Sequence, residues 1–355
     1  MMQLGVQLHL PTHGHVGAVD LVELGRHASA RGFSQIWVTD NMGSRHLFAV
    51  LAALACRTTT RLGAAVLVQY LRSPTESAAA MVTVGELAGE RGLDIAIGAG
   101  NPFVGSMIVR PSPIRFMRET VTFLRAALSG QAASTADFPL LTDYFHYQPD
   151  TLLQSFPSRA ADVRVLGGGN GPLGMKLAGQ LCDGALMGWT LLPAMRLGKL
   201  EKLLDIADAA AAEVGKASPI RRVGEVKVSV ARAHHEARRW VAGKAESTAT
   251  RCVSLKRRGY SDQEFAQLGI DPAAVDMLVG RAASGLPLTD VAAPTDAMID
   301  ACVIAGDPVY CRERLQIVIE RAQALGFEQL IFSELGPDPR EGLRLLADQV
   351  LPALS

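Results

Sequence analysis

The chain has no surplus of charge: 35 Lys and Arg balance 35 Asp and Glu across 355 residues. That removes the broad electrostatic footprint by which a protein holds nucleic acid or an anionic membrane surface. Five scattered cysteines, Cys56, Cys182, Cys252, Cys302 and Cys311, show no CxxC spacing and are odd in number. A disulfide framework is therefore not expected, and a reducing compartment is. No uninterrupted apolar run reaches membrane-spanning length, and the start MMQLGVQLHL has no basic segment ahead of an apolar core. These absences point to a cytoplasmic protein with a small-molecule partner, no nucleic acid and no membrane. Linker-like tracts are also missing, so the expectation is one domain over 1–355.

What is present is alternation. Short β-branched runs recur at 4–10, 35–40, 62–68, 93–100, 163–168, 183–188, 225–231 and 329–335, with amphipathic, alanine-rich stretches between them. The stretch AVDLVELGRHASARG places Val19, Val22, Leu24 and Ala28 roughly on one face and stops at Gly32. DPVYCRERLQIVIERAQALG opens with Asp-Pro and closes on Gly326. Eight strands, each followed by helix, predict an α/β fold, a (β/α)8 TIM barrel. A doubly wound open sheet is the alternative, and it has no need of an eighth unit. The interval 234–301 is too long for one connection, so it is read as a helical insertion after strand seven, where long insertions cover the catalytic end. Its basic piece KRRG, Lys256 to Gly259, is either a solvated helix face or a contact for an anionic tail.

In such a barrel the carboxyl ends of the strands carry the chemistry. Strand one leads into HLPTHGH, with His9, His13 and His15. His13-Gly14-His15 has the H-x-H form of metal-dependent barrel hydrolases, but the ends of strands five and six offer no imidazole to complete a ligand set. The expected metal is none, and the histidines are read as lining a pocket mouth; a metal-dependent hydrolase stays as an alternative. Strand two ends near Asp40 and Asn41, strand four near Gly98, Gly100 and Asn101, and strand eight near Ser333 and Glu334. After strand five comes LGGGNGPLGMKLAG, 166–179, whose glycines let a ligand approach the backbone. The helix starting near Pro172 aims its N–H groups there, which suits a phosphate. The same residues also fit a plain tight turn.

Several segments in order resemble the bacterial-luciferase-like superfamily of flavin- and deazaflavin-dependent oxidoreductases, and within it the methylenetetrahydromethanopterin reductase branch. They are LGVQLHLP, VTDNMGSR, AAVLVQYLRSP, GERGLDIAIGAG, VRVLGGGNGPLGMKLAGQLCDGALMG and AGDP…ALGFEQLIF, covering nearly the whole chain. The resemblance implies a cofactor undergoing hydride chemistry, the deazaflavin coenzyme F-420 in preference to FMN, and a homodimer. It places Asp40 at a polar cofactor contact and Ala65-Val66 on a strand-three bulge that often holds a non-prolyl cis peptide, with Val66 and Leu67 behind the ring. It places Ala99, Gly100 and Asn101 at further cofactor contacts, and Gly168, Gly169, Asn170, Gly171, Leu173 and Gly174 at the phosphate turn. Departures are Asn41, where relatives commonly carry His, Asn101, where they carry an acid, and Gln7, often acidic in the reductases. Amides orient but do not transfer protons as carboxylates and imidazoles do. The catalytic candidates are Asp40, Asn41, Asn101 and His9, with His13 or Glu334 as a displaced proton donor. The alternatives are an FMN-dependent monooxygenase of the same family and a flavin-binding protein without activity.

Overall fold

The computed structural model describes residues 2–9, 17–100, 108–153, 162–216, 219–288 and 290–354. Its main strands are β1 (Gln3–Leu8), β2 (Gln35–Val38), β3 (Arg61–Val68), β4 (Leu93–Gly98), β5 (Val163–Gly168), β6 (Gly184–Met187), β7 (Arg221–Val230) and β8 (Gln329–Glu334). Each overlaps one of the eight predicted runs. The helices that follow are α1 (Ala18–Ala30), α2 (Leu47–Ala55), α3 (Pro74–Ala88), α4 (Pro113–Leu128), α5 (Pro139–Phe145), α6 (Pro172–Leu181), α7 (Leu191–Arg196) and α8 (Leu200–Glu213). This is the element order of an α/β fold, a (β/α)8 barrel. No helix among the described residues is long and apolar enough to cross a membrane.

Two compact units are distinguishable, Met1–Leu186 with Leu204–Val223, and Met187–Leu203 with Gly224–Ser355. In the first, β1 to β6 pair in sequence order and in parallel. β2 and β4 are buried along their whole length, which is why they read as apolar runs. The helix α1 corrects one detail of the sequence reading. Its buried face is Leu21, Gly25 and Ala28, an i, i+4, i+7 row, whereas Val19 is 75% exposed.

In the second unit the interval 234–301 is helical, as expected, and is continued to Cys302: α9 (His234–Ala242), α10 (Ala245–Arg257), α11 (Asp262–Gln267), α12 (Pro272–Ala283) and α13 (Asp296–Cys302). They share a core of their own, built from Val241, Cys252, Phe265, Val275, Leu278 and Ile299. Their boundaries follow local chemistry: Ser261 and Glu264 make a capping box, and Asp271 and Thr295 cap the next two helices. A short strand not anticipated from the sequence, Ile304–Gly306, then pairs with Val228–Val230 of β7 before α14 (Pro308–Ala324). Asp307 caps α14 and Gly326 ends its turn with φ 69°, as the Asp-Pro start and the glycine stop suggested. The helix α15 (Pro339–Leu345) follows β8. A two-residue antiparallel pairing, Ala133–Ser134 with Leu152–Leu153 across the helix α5, was also not anticipated.

The amino-terminal ends of the strands in the first unit are tied by one buried carboxylate. Asp94 on β4 has no exposed side-chain surface and is met by Arg61 from the start of β3 and Arg221 from the start of β7. Gln35, first residue of β2, donates to it at 3.0 Å, and Arg61 reaches on to Asp162. Burial would push the Asp94 carboxyl up, but the hydrogen bonds and charges of Arg61 and Arg221 outweigh it and hold the group below the ordinary carboxylate range. A depressed carboxylate contributes stability that is present above its unfolded-state pKa and is lost as pH falls through its folded-state pKa. Asp94→Asn should therefore cost about 3–5 kcal/mol at neutral pH, because two guanidinium groups lose their buried carboxylate, and should flatten the loss of stability in acid. Denaturant melts of both proteins from pH 7 downward check this; equal stability at pH 7 would contradict it.

Candidate functional site

The carboxyl ends of β2, β3, β4 and β5 are organised around one side chain, Val66. The β3–β4 ladder pairs Ala65 with Ala96 and Leu67 with Ile97, leaving Val66 without a partner in a bulge. The Ala65–Val66 peptide is cis, at the position the family resemblance implied. The Val66 side chain lodges where two neighbouring strands carry glycine. A Cβ on Gly98 would lie 2.8 Å from Val66 Cγ2, and one on Gly168 would lie 2.8 Å from Val66 Cγ1 and 2.7 Å from the Ile97 carbonyl. Any other residue at either position would push Val66 out. Gln7 of β1 donates from Nε2 to the Ala65 carbonyl at 2.5 Å and so holds the bulge from a third strand. Ala65 and Leu67 are buried and Val66 is half-buried, giving an apolar wall with one accessible residue.

Asp40 serves this wall. Its Oδ2 accepts from the Val68 N–H at 3.0 Å and from Arg72 at 2.7 Å, while Oδ1 accepts from the second Arg72 nitrogen at 2.9 Å. The Asp40 side chain has no exposed surface and that of Arg72 is 13% exposed. Arg72 also donates to His46 Nε2. A carboxylate with its oxygens engaged in this way fastens the end of β3 to the loop behind it. Asn41 accepts from the next N–H, Met42, in a local turn.

The glycine turn after β5 abuts the wall through the same Val66–Gly168 contact. Gly169 donates to the Leu186 carbonyl of β6 and packs against Gly174, where a Cβ on either would meet the other's backbone at 3.1–3.2 Å. Gly171 is the N-cap of α6, extended at φ −157°, with Pro172 at the first helical position and no side-chain cap. A Cβ there would meet nothing within 4 Å. The first-turn N–H groups of Leu173 and Gly174 have no acceptor within an α-helix, and the dipole of α6 adds positive potential at the same end. Leu173 itself is 66% exposed. Beyond β4, Gly100 has φ 78° and the Ala99 carbonyl accepts from Arg110 at 3.4 Å.

Asn101, His13 and His15 lie outside the described residues. His9, just past β1, is exposed. Among the described residues no group of three His, Cys, Asp or Glu could hold a metal ion. Lys256 of KRRG is engaged on its own surface by Asp262 and Asp276. Sequence reasoning missed Arg72 as the partner of Asp40, and Tyr70, whose ring stacks 4.6 Å from Phe116 and whose hydroxyl donates to the Pro111 carbonyl. Both lie in the quoted segment QYLRSP, so the signal was available. An open cleft of about 490 Å³ runs along α5, lined by Thr142, His146 and Tyr147 among others; none of the anticipated site residues lines it.

The account of Asp40 as a structural anchor gives a direct expectation. Asp40→Asn and Arg72→Met should each destabilise the protein, by about 3–5 kcal/mol for the loss of one partner of a buried pair. The double variant should fall short of the sum by a coupling of about 0.5–3 kcal/mol. Additive losses in urea melts would contradict the pairing.

The profile of the luciferase-like monooxygenase family matches residues 2–328. A 5,10-methylenetetrahydromethanopterin reductase of Methanolobus tindarius is 26% identical over 345 residues, spanning 91% of this chain and 93% of the relative. Among solved structures, the coenzyme F420 dependent tetrahydromethanopterin reductase of Methanopyrus kandleri superposes with a TM-score of 0.75 at 20% identity, over 100% of this chain and 99% of that one. A type II Baeyer-Villiger monooxygenase of Pseudomonas putida, in complex with FMN, superposes with a TM-score of 0.63 at 16% identity, over 100% and 99%. These structural likenesses carry the fold, the (β/α)8 barrel. With a family profile matched over nine-tenths of its length and that fold beneath it, the chain belongs to the luciferase-like monooxygenase family, a family of oxidoreductases.

Proposed function

We propose that the protein transfers hydride between the deazaflavin coenzyme F-420 and a small organic molecule. The observation that carries this reading is the contact of Val66 with Gly168, which joins an apolar wall to a glycine turn with an open N-cap in one compact unit. A planar three-ring cofactor with a phosphate-bearing side chain needs both features side by side, one for the ring and one for the anion. The residues fit such a group: Val66, the accessible residue of the wall, would back the ring with Ala65 and Leu67 supporting it, and the N–H groups of Leu173 and Gly174 would receive phosphate in the space before Gly171. Preference for the deazaflavin over FMN rests on the methylenetetrahydromethanopterin reductase relative and on the first structural likeness. FMN remains the second reading, supported by the monooxygenase likeness.

When bound, a deazaflavin supplies or accepts hydride, whereas a reduced flavin also reacts with oxygen. The chain itself contributes orientation and exclusion of water. Gln7 holds the bulge by donating to Ala65, and Asp40 with Arg72 fixes the end of β3. Neither is placed to move a proton, since one is an amide and the other is held between a guanidinium and a backbone N–H. Asn41 and Asn101 are amides as well, so of the four catalytic candidates a proton-handling role is left to His9.

Gly169→Val is a poor probe of the turn, because Gly169 packs against Gly174. Gly171→Asp is a better one. Aspartate is a good N-cap and the site has room for it, so stability should hold to within a few tenths of a kcal/mol or rise. The new carboxylate would occupy the phosphate's place and repel it, so F-420 affinity should fall at least about tenfold, 1.4 kcal/mol. Titration with F-420 and with FMN, followed by absorbance, decides both points. Unchanged F-420 affinity in the variant would mean that the turn is architectural only. Tight FMN binding with oxygen consumption on reduction, and no F-420 binding, would replace the reductase reading with the monooxygenase one. Binding of either cofactor without turnover of any substrate would favour the inactive binding protein.

A further inference from the structure

The second unit contains a buried charge cluster that none of the roles above uses. At its centre is Glu334, the last residue of β8. Lys227 of β7 reaches its Oε1 at 3.2 Å, Arg251 of α10 reaches the same oxygen at 2.9 Å, and Lys244 reaches Oε2 at 2.9 Å. Glu225 completes the group, 3.2 Å from Lys227 and hydrogen-bonded by Ser333 at 2.8 Å. Three cations thus face two carboxylates among the described residues. Every side chain but that of Lys244 is 10% exposed or less; Lys244 is 41% exposed. The buried charges balance, Lys227 and Arg251 against Glu225 and Glu334, so the surplus cation is Lys244, whose partial exposure leaves it where an anion from solvent can meet it.

Three further observations separate this cluster from a plain structural network. Lys244 is the N-cap of α10, a position that favours Ser, Thr, Asp or Asn, and a cation there opposes the helix dipole. The lysine does not serve as a cap; its ammonium is held instead by Glu334 and the Trp240 ring. Thr248, 1% exposed, stands between Lys244 and Arg251 at i+4 on the same helix face, and its hydroxyl has no hydrogen-bond partner among the described residues. A buried hydroxyl of that kind is costly unless a ligand engages it. Glu334 and Leu335 both have positive φ, 77° and 58°, a left-handed pair that L-residues rarely adopt. Such strain persists where a side chain must be held in one direction. The acidic residue of the first turn, Glu246, is exposed and on another face.

We propose that this cluster binds an oxyanion, the carboxylate or phosphate of the small-molecule substrate, with Lys244, Thr248 and Arg251 as contacts and Glu334 as the residue that positions them. Its identity as substrate rests on the oxidoreductase reading; anion binding itself does not. Glu334, considered above as a proton donor, becomes an acceptor that orients cations.

Trp240 reports on the site directly, because the Lys244 ammonium lies 3.4 Å from its ring centroid. The test is fluorescence titration of the full chain with phosphate and, separately, with acetate, at constant ionic strength in chloride. Trp240→Phe serves to isolate the signal. A saturable change with phosphate or acetate is expected, and which of them binds more tightly identifies the class of oxyanion. The apparent dissociation constant should rise at least about tenfold in Lys244→Met, rise also in the nearly isosteric Thr248→Val, and recover in Lys244→Arg. Circular dichroism confirms folding of each variant. No saturable change with either anion, or the same constant in Lys244→Met and Thr248→Val, would overturn the proposal. Phosphate binding abolished by Gly171→Asp but untouched by Lys244→Met would also overturn it, by placing the anion at the glycine turn. F-420 titrated into the wild-type protein in parallel reports on the cofactor reading alone, so either can fail without the other.

Discussion

The site depends on a steric exchange between one valine and two glycines. Val66 steps out of the β3 ladder, and the volume it needs is supplied by the missing side chains of Gly98 on β4 and Gly168 on β5. From that contact the remaining geometry follows. The bulge presents its carbonyl to Gln7, the end of β3 turns toward Asp40, and the glycine run after β5 comes to lie against the bulge before entering α6. Close packing leaves this arrangement no slack: a single methyl at 98 or 168 would lie 2.8 Å from a Val66 methyl. This links sequence to function through volume. The glycines matter less for their freedom of φ than for what they leave empty.

Electrostatics divides the labour. In the first unit the strongest buried network, Asp94 with Arg61 and Arg221, lies at the amino-terminal ends of the strands, where a barrel keeps stability and not chemistry. At the opposite ends the Asp40–Arg72 pair is again closed on itself, so the wall it supports stays apolar. The second unit breaks the pattern. Its cluster at the end of β8 holds, among the described residues, three cations and two carboxylates, the third cation being the partly exposed Lys244, and beside them the buried Thr248 hydroxyl has no partner among those residues; the proposed anion site rests on these two features.

Much of the fold was legible in advance because strands in a parallel sheet are buried on both faces and appear as apolar runs between glycine and proline stops. All eight such runs overlap strands. The three-residue strand Ile304–Gly306 escaped notice because IAG carries no periodicity, and the antiparallel pair at Ala133–Ser134 is too short to have any. The site was legible in part. The family resemblance named Ala65 and Val66 and the glycine turn, but the reason they belong together is a contact between residues about a hundred positions apart, which no local pattern contains. Asp40 was singled out without its partner Arg72, since pairing across 32 residues is a property of the fold. The Lys244, Thr248, Arg251 row was passed over for the more conspicuous KRRG run, which the structure ties to its own surface. Its visible signal was a lysine at a helix start after Gly243, followed at helical spacing by Thr248 and Arg251.

The claim that the Val66 wall and the glycine turn form one cofactor seat is tested most directly by a crystal structure of the protein with F-420. The account predicts the ring system against Val66 and the phosphate within hydrogen-bond distance of the Leu173 and Gly174 N–H groups. A cofactor lying instead in the cleft along α5, against His146 and Tyr147, would contradict it.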